Sequence, residues 1–484
     1  MSKEAIDAFS SLSIINEINS PEDPLAHRDS LYSLEKGIYF VPGYKRGTVC
    51  DINTGNVYSI NEAGTEVILG KRDEPQFKTE LALELGLDHL GQVTRVDKEK
   101  PETNLEFVWF EIISDDCNER CIHCYADSMP PTYRRNLEKR ELPVFENKQK
   151  LKTGDWEKLI EESYQLGCRQ CQFIGGEPFL WRGENGETVL DLAEHAKSMG
   201  FEMVEIFTNA TLIKEKDIPR IKDLGLNIAV SLYSDREDIH EEITRTPGSF
   251  KRTMKTLELL REASVPTRVE TVLMRQNQCT VESTNQRIQE MGFSHRPPDV
   301  LRPKGRGDNH DLYPDPEISV KHSLMLEPNF SASPEFFKRS VAGHNCLAGK
   351  ISITDNGDVL PCIFSRGKIV GNVFRDGSIE TVLEGQIKQI WEITKDDVLV
   401  CQDCEYRYVC FDCRPISEGA SQGKGDYKTA PYPRCTYNPY EGEWENGTWK
   451  LDDQGIPFYD KSLSEQISKV RKLSLPVVVP RGHS

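Results

Sequence analysis

Nowhere in the 484-residue chain do roughly eighteen apolar residues run together, the length a membrane-spanning helix needs, and mean hydropathy is −0.54, so no membrane partner is expected. Positive charge is also short: 60 Lys and Arg face 78 Asp and Glu, a formal net charge of −18. Proteins that grip a phosphate backbone are normally basic, so no nucleic acid is expected as substrate. The opening MSKEAIDAFSSLSIINEINSPEDP is polar and mildly acidic. It has neither the basic start nor the apolar run of a secretory signal, and a cytoplasmic location is expected. In a reducing compartment the fourteen cysteines read as metal ligands or packed thiols rather than a disulfide framework. The length allows about two to four domains with ample core.

The densest chemistry lies in Asp116-Cys117-Asn118-Glu119-Arg120-Cys121-Ile122-His123-Cys124-Tyr125, three thiols spaced C-x3-C-x2-C. Three cysteines this close cannot all pair with one another, and a structural zinc normally takes about four ligands. Three thiolates suit a four-iron, four-sulfur cluster with one iron left open to a substrate or cofactor. The spacing resembles the signature of the radical S-adenosylmethionine (SAM) enzymes. That resemblance implies a cluster on Cys117, Cys121 and Cys124 whose open iron chelates SAM, and reductive cleavage to a 5′-deoxyadenosyl radical.

From residue 105 the pattern turns β/α. Strands are predicted over 107–113, 172–174, 203–207, 227–232, 267–273 and 299–301, separated by helices over 155–166, 188–199, up to 224, 250–263 and 283–291. This alternation argues a parallel sheet, and its strand count agrees with the six-unit partial β/α barrel of the family. Ligands of such barrels sit at the carboxyl ends of the strands. Gly175-Gly176-Glu177 follows the second strand and resembles the family's second motif. Its glycines would let backbone approach a ligand, and Glu177 would receive the methionine ammonium. Asn209, ending the third strand, is placed for the ribose; Ser231, ending the fourth, for the ribose or the carboxylate. His123 stands where the family has an aromatic residue near the adenine. Strand-end turn chemistry is the plainer account of Asn209 and Ser231, and packing that of His123. In the loop Leu301–Gly307 (LRPKGRG), Arg302, Lys304 and Arg306 read either as contacts to substrate carbonyls and carboxylates or as a solvated basic loop. Cys168 and Cys171 read as packing rather than a redox pair or a zinc corner; Cys50 and Cys279, standing alone, read as buried small hydrophobes.

A second constellation follows: Cys346, then Gly357, Cys362, Cys401, Cys404, Cys410, Cys413 and Cys435. It resembles the SPASM extension of the same family, departing in having two rather than three residues between Cys410 and Cys413. The resemblance implies two auxiliary clusters, one on Cys401, Cys404, Cys410 and Cys435, the other on Cys346, Cys362 and Cys413. The upstream residues SPEFFKRSVAGHN hold no eighth cysteine. His344, a substrate thiolate, a backbone group or water are left as its fourth ligand. Sulfatase-maturating relatives carry an Asp base after the cysteine equivalent to Cys362; here Ile363 cannot take a proton, so formylglycine formation is not expected.

Before the barrel, short β runs at 47–52 and 56–60 flank an Asn-Thr-Gly turn, and helices are predicted at 61–69 and 76–85. The pattern resembles the winged-helix module that binds leader peptides as an added strand; a ligand-free packing domain is the alternative. The expected fold is thus α/β: a flexible tail at 1–30, a winged-helix-like α+β domain at 31–100, a radical SAM partial barrel at 101–310, a bridge at 311–345, a SPASM domain at 346–445 and a tail at 446–484 that packs, if anywhere, on the barrel. The resemblance implies a maturase that uses three [4Fe-4S] clusters and SAM to crosslink, epimerise or rearrange a ribosomally made precursor peptide with a leader, fed by flavodoxin or ferredoxin. It names no catalytic acid or base. Modification of a protein side chain or small molecule, and an iron–sulfur electron carrier or sensor, are the competing readings.

Overall fold

A computed structural model describes residues 27–98, 104–138, 149–421 and 428–474. The first unit is an antiparallel sheet of β1 (Tyr32–Glu35), β2 (Ile38–Pro42), β3 (Gly47–Asp51), β4 (Asn56–Ile60) and β5 (Thr94–Arg95), in the order β4-β3-β2-β1-β5. The β3–β4 turn is tied by the Asp51 carboxylate, which accepts from the Asn53 and Thr54 amides and the Thr54 hydroxyl. Asn61 caps the helix Glu62–Ile68 by accepting from the Gly64 amide at 2.8 Å. That helix and Pro75–Glu84 cover one face of the sheet through Phe40, Val49, Ile60, Val67 and Leu81. The other face sets Val41, Cys50 and Ile52 against Phe337, Tyr406, Tyr408 and Tyr437. Burial on both faces explains the apolar run of β2 and the complete burial of β3. Sequence patterning found only β3 and β4, because β1, β2 and β5 lack a clean alternation.

Residues 27–30, expected in the flexible tail, are anchored: His27 Nε2 and Arg28 Nε reach Asp403 Oδ1 at 2.7 and 2.6 Å. Residues 1–26 lie outside the described residues. The buried Arg407 is the principal rivet. Its Nη1 donates to the Pro42 and Cys404 carbonyls, its Nη2 to the His27 and Ser30 carbonyls, and its Nε to Asp396 at 2.9 Å.

The second sheet holds β6 (Phe107–Ile113), β7 (Gln170–Gly175), β8 (Met203–Thr208), β9 (Asn227–Ser231) and β10 (Thr267–Glu270), each parallel to its neighbour. The intervening helices Thr153–Gln165, Val189–Met199, Ile218–Asp223 and Ser249–Glu262 pack their apolar stripes on it. The predicted fifth strand is broken, and the predicted sixth, though present, lies outside the main sheet. After β10 the chain shifts at Thr271 into β11 (Val272–Leu273); after the helix Val281–Glu290, β12 (Ser294–His295) completes the main sheet, whereas β13 (Asp299–Val300) pairs with β11 apart from it. One apolar run cannot reveal this split, because it depends on which neighbour the last residues meet.

The sheet continues past β6 on its other side. β14 (Lys350–Thr354) runs parallel to β6, followed by antiparallel β15 (Asp358–Leu360) and β16 (Gly371–Asn372). The stretch between Cys346 and Cys401 is therefore part of the same nine-stranded sheet as the barrel. Residues after 446 form a hairpin, Thr448–Leu451 with Pro457–Asp460, and the helix Ser464–Ser474. That helix packs Ile467 and Val470 on Val320 of the helix Pro316–Ser323, not on the barrel; the Val/Pro-rich end lies outside the described residues. Cys50, Cys168 and Cys171 are buried, as expected; Cys279 is exposed, because it falls in the turn leading into the helix Val281–Glu290 rather than in the core. Among the described residues no helix is long and apolar enough to cross a membrane.

Replacing Arg407 by Ala takes one ion-pair partner from Asp396, which keeps Lys98 and Tyr408, and the shared donor from four backbone carbonyls. We expect a loss of about 3–5 kcal/mol, the scale for breaking a buried ion pair. Amide exchange should show it as lost protection in β2 and β3 with β6–β9 unchanged.

Candidate functional site

β6 ends where the cysteine loop begins, and the loop has almost no regular structure of its own. Its backbone is satisfied from outside. The Gly176 amide donates to the Ile113 carbonyl at 2.6 Å and the Glu177 amide to Asp116 at 3.1 Å. The Arg120 and Ile122 amides donate to Thr244 and Ile243 at the end of the helix Glu237–Thr244, both at 3.0 Å. From the loop after β13, the Arg306 amide donates to the Cys124 carbonyl at 3.0 Å, its Nε to Cys121 at 2.9 Å and its Nη2 to Ser128 at 2.7 Å.

This packing gives the two glycines a reason within the protein. A Cβ on Gly175 would lie 2.1 Å from the Ile113 carbonyl oxygen, and one on Gly176 would lie 2.1 Å from that of Asp116. The end of β6 and the cysteine loop by themselves require both. Gly305, at φ +55°, is required in the same way, since its Cβ would meet the Cys124 and Tyr125 carbonyls. Arg306, open in the sequence to a substrate or solvent role, is spent on the loop. Lys304 lies 3.7 Å from Glu418, and Arg302 pairs with Asp299.

Cys117 is buried, with Cys121 and Cys124 half-buried beside it. Burial and one another's negative charge push the Cys117 and Cys121 thiols up, with the Glu177 carboxylate adding to Cys117. Buried Glu119 sits among them, pushed up to about 8 by desolvation and then by Glu177; its Oε1 has no hydrogen-bond partner. Glu177 is fully buried. Its Oε1 accepts from the Phe179 amide and the Thr208 hydroxyl, and its Oε2 from the Asn209 amide. Desolvation outweighs these bonds and brings its carboxyl up to about 7. A carboxylate has about four lone-pair positions, so one is left for a cation.

The Asn209 side chain is already committed: Nδ2 donates to Asn118 Oδ1 at 2.9 Å, and Oδ1 accepts from the Thr211 amide and hydroxyl. It braces the cysteine loop. Ser231 ends β9 opposite Glu270 and is bonded to the Tyr233 hydroxyl. The His123 ring meets Tyr233 edge-on at 4.7 Å, its Nδ1 buried without a partner. Burial, then Arg306, holds it neutral, down to about 4. Sequence reasoning passed over Asn118, Glu119 and Tyr233, which carry no motif.

Cys401, Cys404, Cys410 and Cys435 line one cavity together with Lys395, Arg407 and Tyr437. Cys346, Cys362 and Cys413 form a second group whose charges act on one another. His344 is not free to join it. Its Nε2 bonds Asp412, and its Nδ1 accepts from the Cys346 amide at 3.2 Å, so both ring nitrogens are taken. Among the described residues, no three His, Cys, Asp or Glu side chains converge on one point as a single metal ion demands.

The protein carries a radical SAM domain: residues 112–288 match the model of the Radical SAM superfamily. Among similar proteins, AdoMet-dependent heme synthase of Methanosarcina barkeri (strain Fusaro / DSM 804) is 26% identical over 356 residues, 67% of this chain and 94% of that protein. The antilisterial bacteriocin subtilosin biosynthesis protein AlbA of Bacillus subtilis (strain 168) is 27% identical over 293 residues, 57% of this chain and 59% of that protein. The crystal structure of Streptococcus suis SuiB bound to precursor peptide SuiA aligns at a TM-score of 0.48 with 15% identity, covering 80% of this chain and 94% of that one.

Two outcomes test the geometry. Gly176→Ala should cost about 1–3 kcal/mol, the range for forced overpacking, read as a lowered urea midpoint with Gly91→Ala on the surface as control. Glu177 has its carboxyl raised from 4.5 to about 7 in the folded protein, so it contributes stability below the ordinary carboxyl range that is lost as pH rises through about 7. In cluster-free protein, Glu177→Gln should flatten the fall in urea midpoint between about pH 5 and about pH 8.

Proposed function

We propose that this chain is a radical SAM peptide maturase of the SPASM type, working in the cytoplasm on a ribosomally made precursor with a leader. Cys117, Cys121 and Cys124 would hold the SAM-binding [4Fe-4S] cluster. Cys401, Cys404, Cys410 and Cys435 would hold one auxiliary cluster in full, and Cys346, Cys362 and Cys413 another without a fourth protein ligand. When bound, these groups and SAM supply the 5′-deoxyadenosyl radical and an outlet for the surplus electron; flavodoxin or ferredoxin is the expected reductant. The protein's own residues orient and exclude. Glu177 would present its remaining lone pair to the methionine ammonium, which favours the ionised carboxylate. Gly175 and Gly176 let that carboxylate and the cysteine loop sit in contact. Neutral His123, with Tyr233 and Ser231, would wall the nucleoside side.

The observation that carries the peptide reading is the first sheet. Its edge strand β4 has one partner, β3, leaving its outer backbone to pair with an added strand. The opposite face of the sheet packs on Tyr406 and Tyr437, beside the four-thiol cavity. The subtilosin biosynthesis relative supports the same reading. A crosslink, carbon–carbon, carbon–oxygen or thioether, is the product class we favour. A second reading, a tetrapyrrole substrate, is favoured by the heme synthase relative, nearly all of whose length aligns.

Anaerobically reconstituted protein given SAM and dithionite should bind about twelve irons for three such clusters and form 5′-deoxyadenosine. Cys117→Ala should lower that rate at least about a hundredfold, the loss of an indispensable ligand. A precursor peptide encoded beside the gene should lose two hydrogens per crosslink. Turnover of Fe-coproporphyrin III with no change in peptide mass would decide for the tetrapyrrole, and absence of 5′-deoxyadenosine would remove both readings.

A further inference from the structure

The three basic residues of the loop after β13 have different fates. Arg306 gives Nε and Nη2 to the cysteine loop and keeps one buried donor, Nη1, 3.8 Å from Asp127, while Lys304 faces Glu418. Arg302 is only partly satisfied. Its Nη2 donates to both Asp299 oxygens at 3.0 Å, while its Nε and Nη1 are buried without an acceptor. One face of the guanidinium lies over the Phe364 ring at 4.6 Å, two residues beyond Cys362. Its charge acts on Cys346, Cys362 and Cys413 alike. A second guanidinium, Arg434, is close enough to repel it. Orphaned donors on a buried cation are costly and call for an acceptor. Besides Asp299, the electron-rich groups acting on Arg302 are the Cys413 and Cys362 sulfurs, with whatever they hold, and then the Tyr432 phenol.

We propose that Arg302 gives its Nε–H and Nη1–H to the sulfurs of the cluster held by Cys346, Cys362 and Cys413, and thereby raises its reduction potential above that of the SAM-binding cluster. This rests on the auxiliary-cluster reading above. Reduction adds one electron to the cluster and no atom. A fixed positive charge and two N–H donors stabilise the more negative state, since cluster potentials follow net charge and hydrogen bonds to sulfur. The first cysteine group differs in having the carboxyls Glu119 and Glu177 beside it as well as the Arg306 guanidinium, whose bonds go to backbone carbonyls. The proposed difference favours passage of the surplus electron toward the auxiliary side.

The test is EPR-monitored redox titration of the full reconstituted chain, with iron counted in each preparation. Arg302→Gln should make one auxiliary cluster about tenfold harder to reduce at a fixed poise, ~59 mV for one electron. Arg302→Lys, which keeps charge but not the planar fork, should lie between. Pulsed EPR of the reduced wild-type cluster should show proton couplings that vanish in D2O and are absent from Arg302→Gln. Unchanged potentials and couplings at full iron content would overturn the proposal and leave the maturase reading standing. A wild-type protein binding only about four irons would overturn the auxiliary clusters and this role with them. Should both variants lose iron, the wild-type couplings decide: present, they support the role; absent, they overturn it.

Discussion

A loop that brings three thiols together cannot also be a helix or a strand, and its peptide groups need partners elsewhere. Here those partners come from the end of β7, the end of the helix Glu237–Thr244 and the loop after β13. Each contact fills a backbone group whose loss in the interior would cost on the order of a hydrogen bond's desolvation penalty. The placement of Cys117, Cys121 and Cys124 is therefore set by the barrel mouth as a whole. It explains why glycines appear at 175, 176 and 305, where any side chain would push the loop out of register, and why Asn209 is turned toward Asn118.

The C-terminal cysteine region is organised by charge. Asp412 is held well below the ordinary carboxylate range, because Arg414, Lys395 and His344 overcome its burial. Lys395, itself buried, faces Cys410, Asp412 and Cys401. Arg407 ties Asp396 to the carbonyls of the first sheet and also lines the four-thiol cavity. Fully buried ions are tolerated only when paired, so this network makes docking of the first sheet and formation of the cavity parts of one structure. In the proposed reading, anything that disturbs the peptide-recognition sheet is felt at the nearer cluster.

Much of this was readable from residue patterns. β6, β8 and β9 fall where apolar runs were read as strands, and the helices between them stop at the expected glycines. The grouping of the cysteines followed from spacing and resemblance. What escaped was non-local. The split of the last strands, the addition of β14–β16 to the barrel sheet and the folding of residues 448–474 into a hairpin and helix depend on partners distant in the chain. The two uses of the basic loop escaped for the same reason: Arg302 and Arg306 look alike in sequence, and only their neighbours distinguish them.

The cysteine spacing and the alternation of strand and helix could be read locally, because three thiols within eight residues and apolar periodicity are properties of adjacent residues; the likeness to radical SAM enzymes rested on them. Tertiary structure alone decided which side chains are spent holding the cysteine loop, which buried donors are left over, and that both nitrogens of His344 are occupied. The physical reason is that hydrogen-bond satisfaction is an accounting over the whole interior: a residue's chemistry is written in the sequence, but whether that chemistry is already used is known only when its partners are in place.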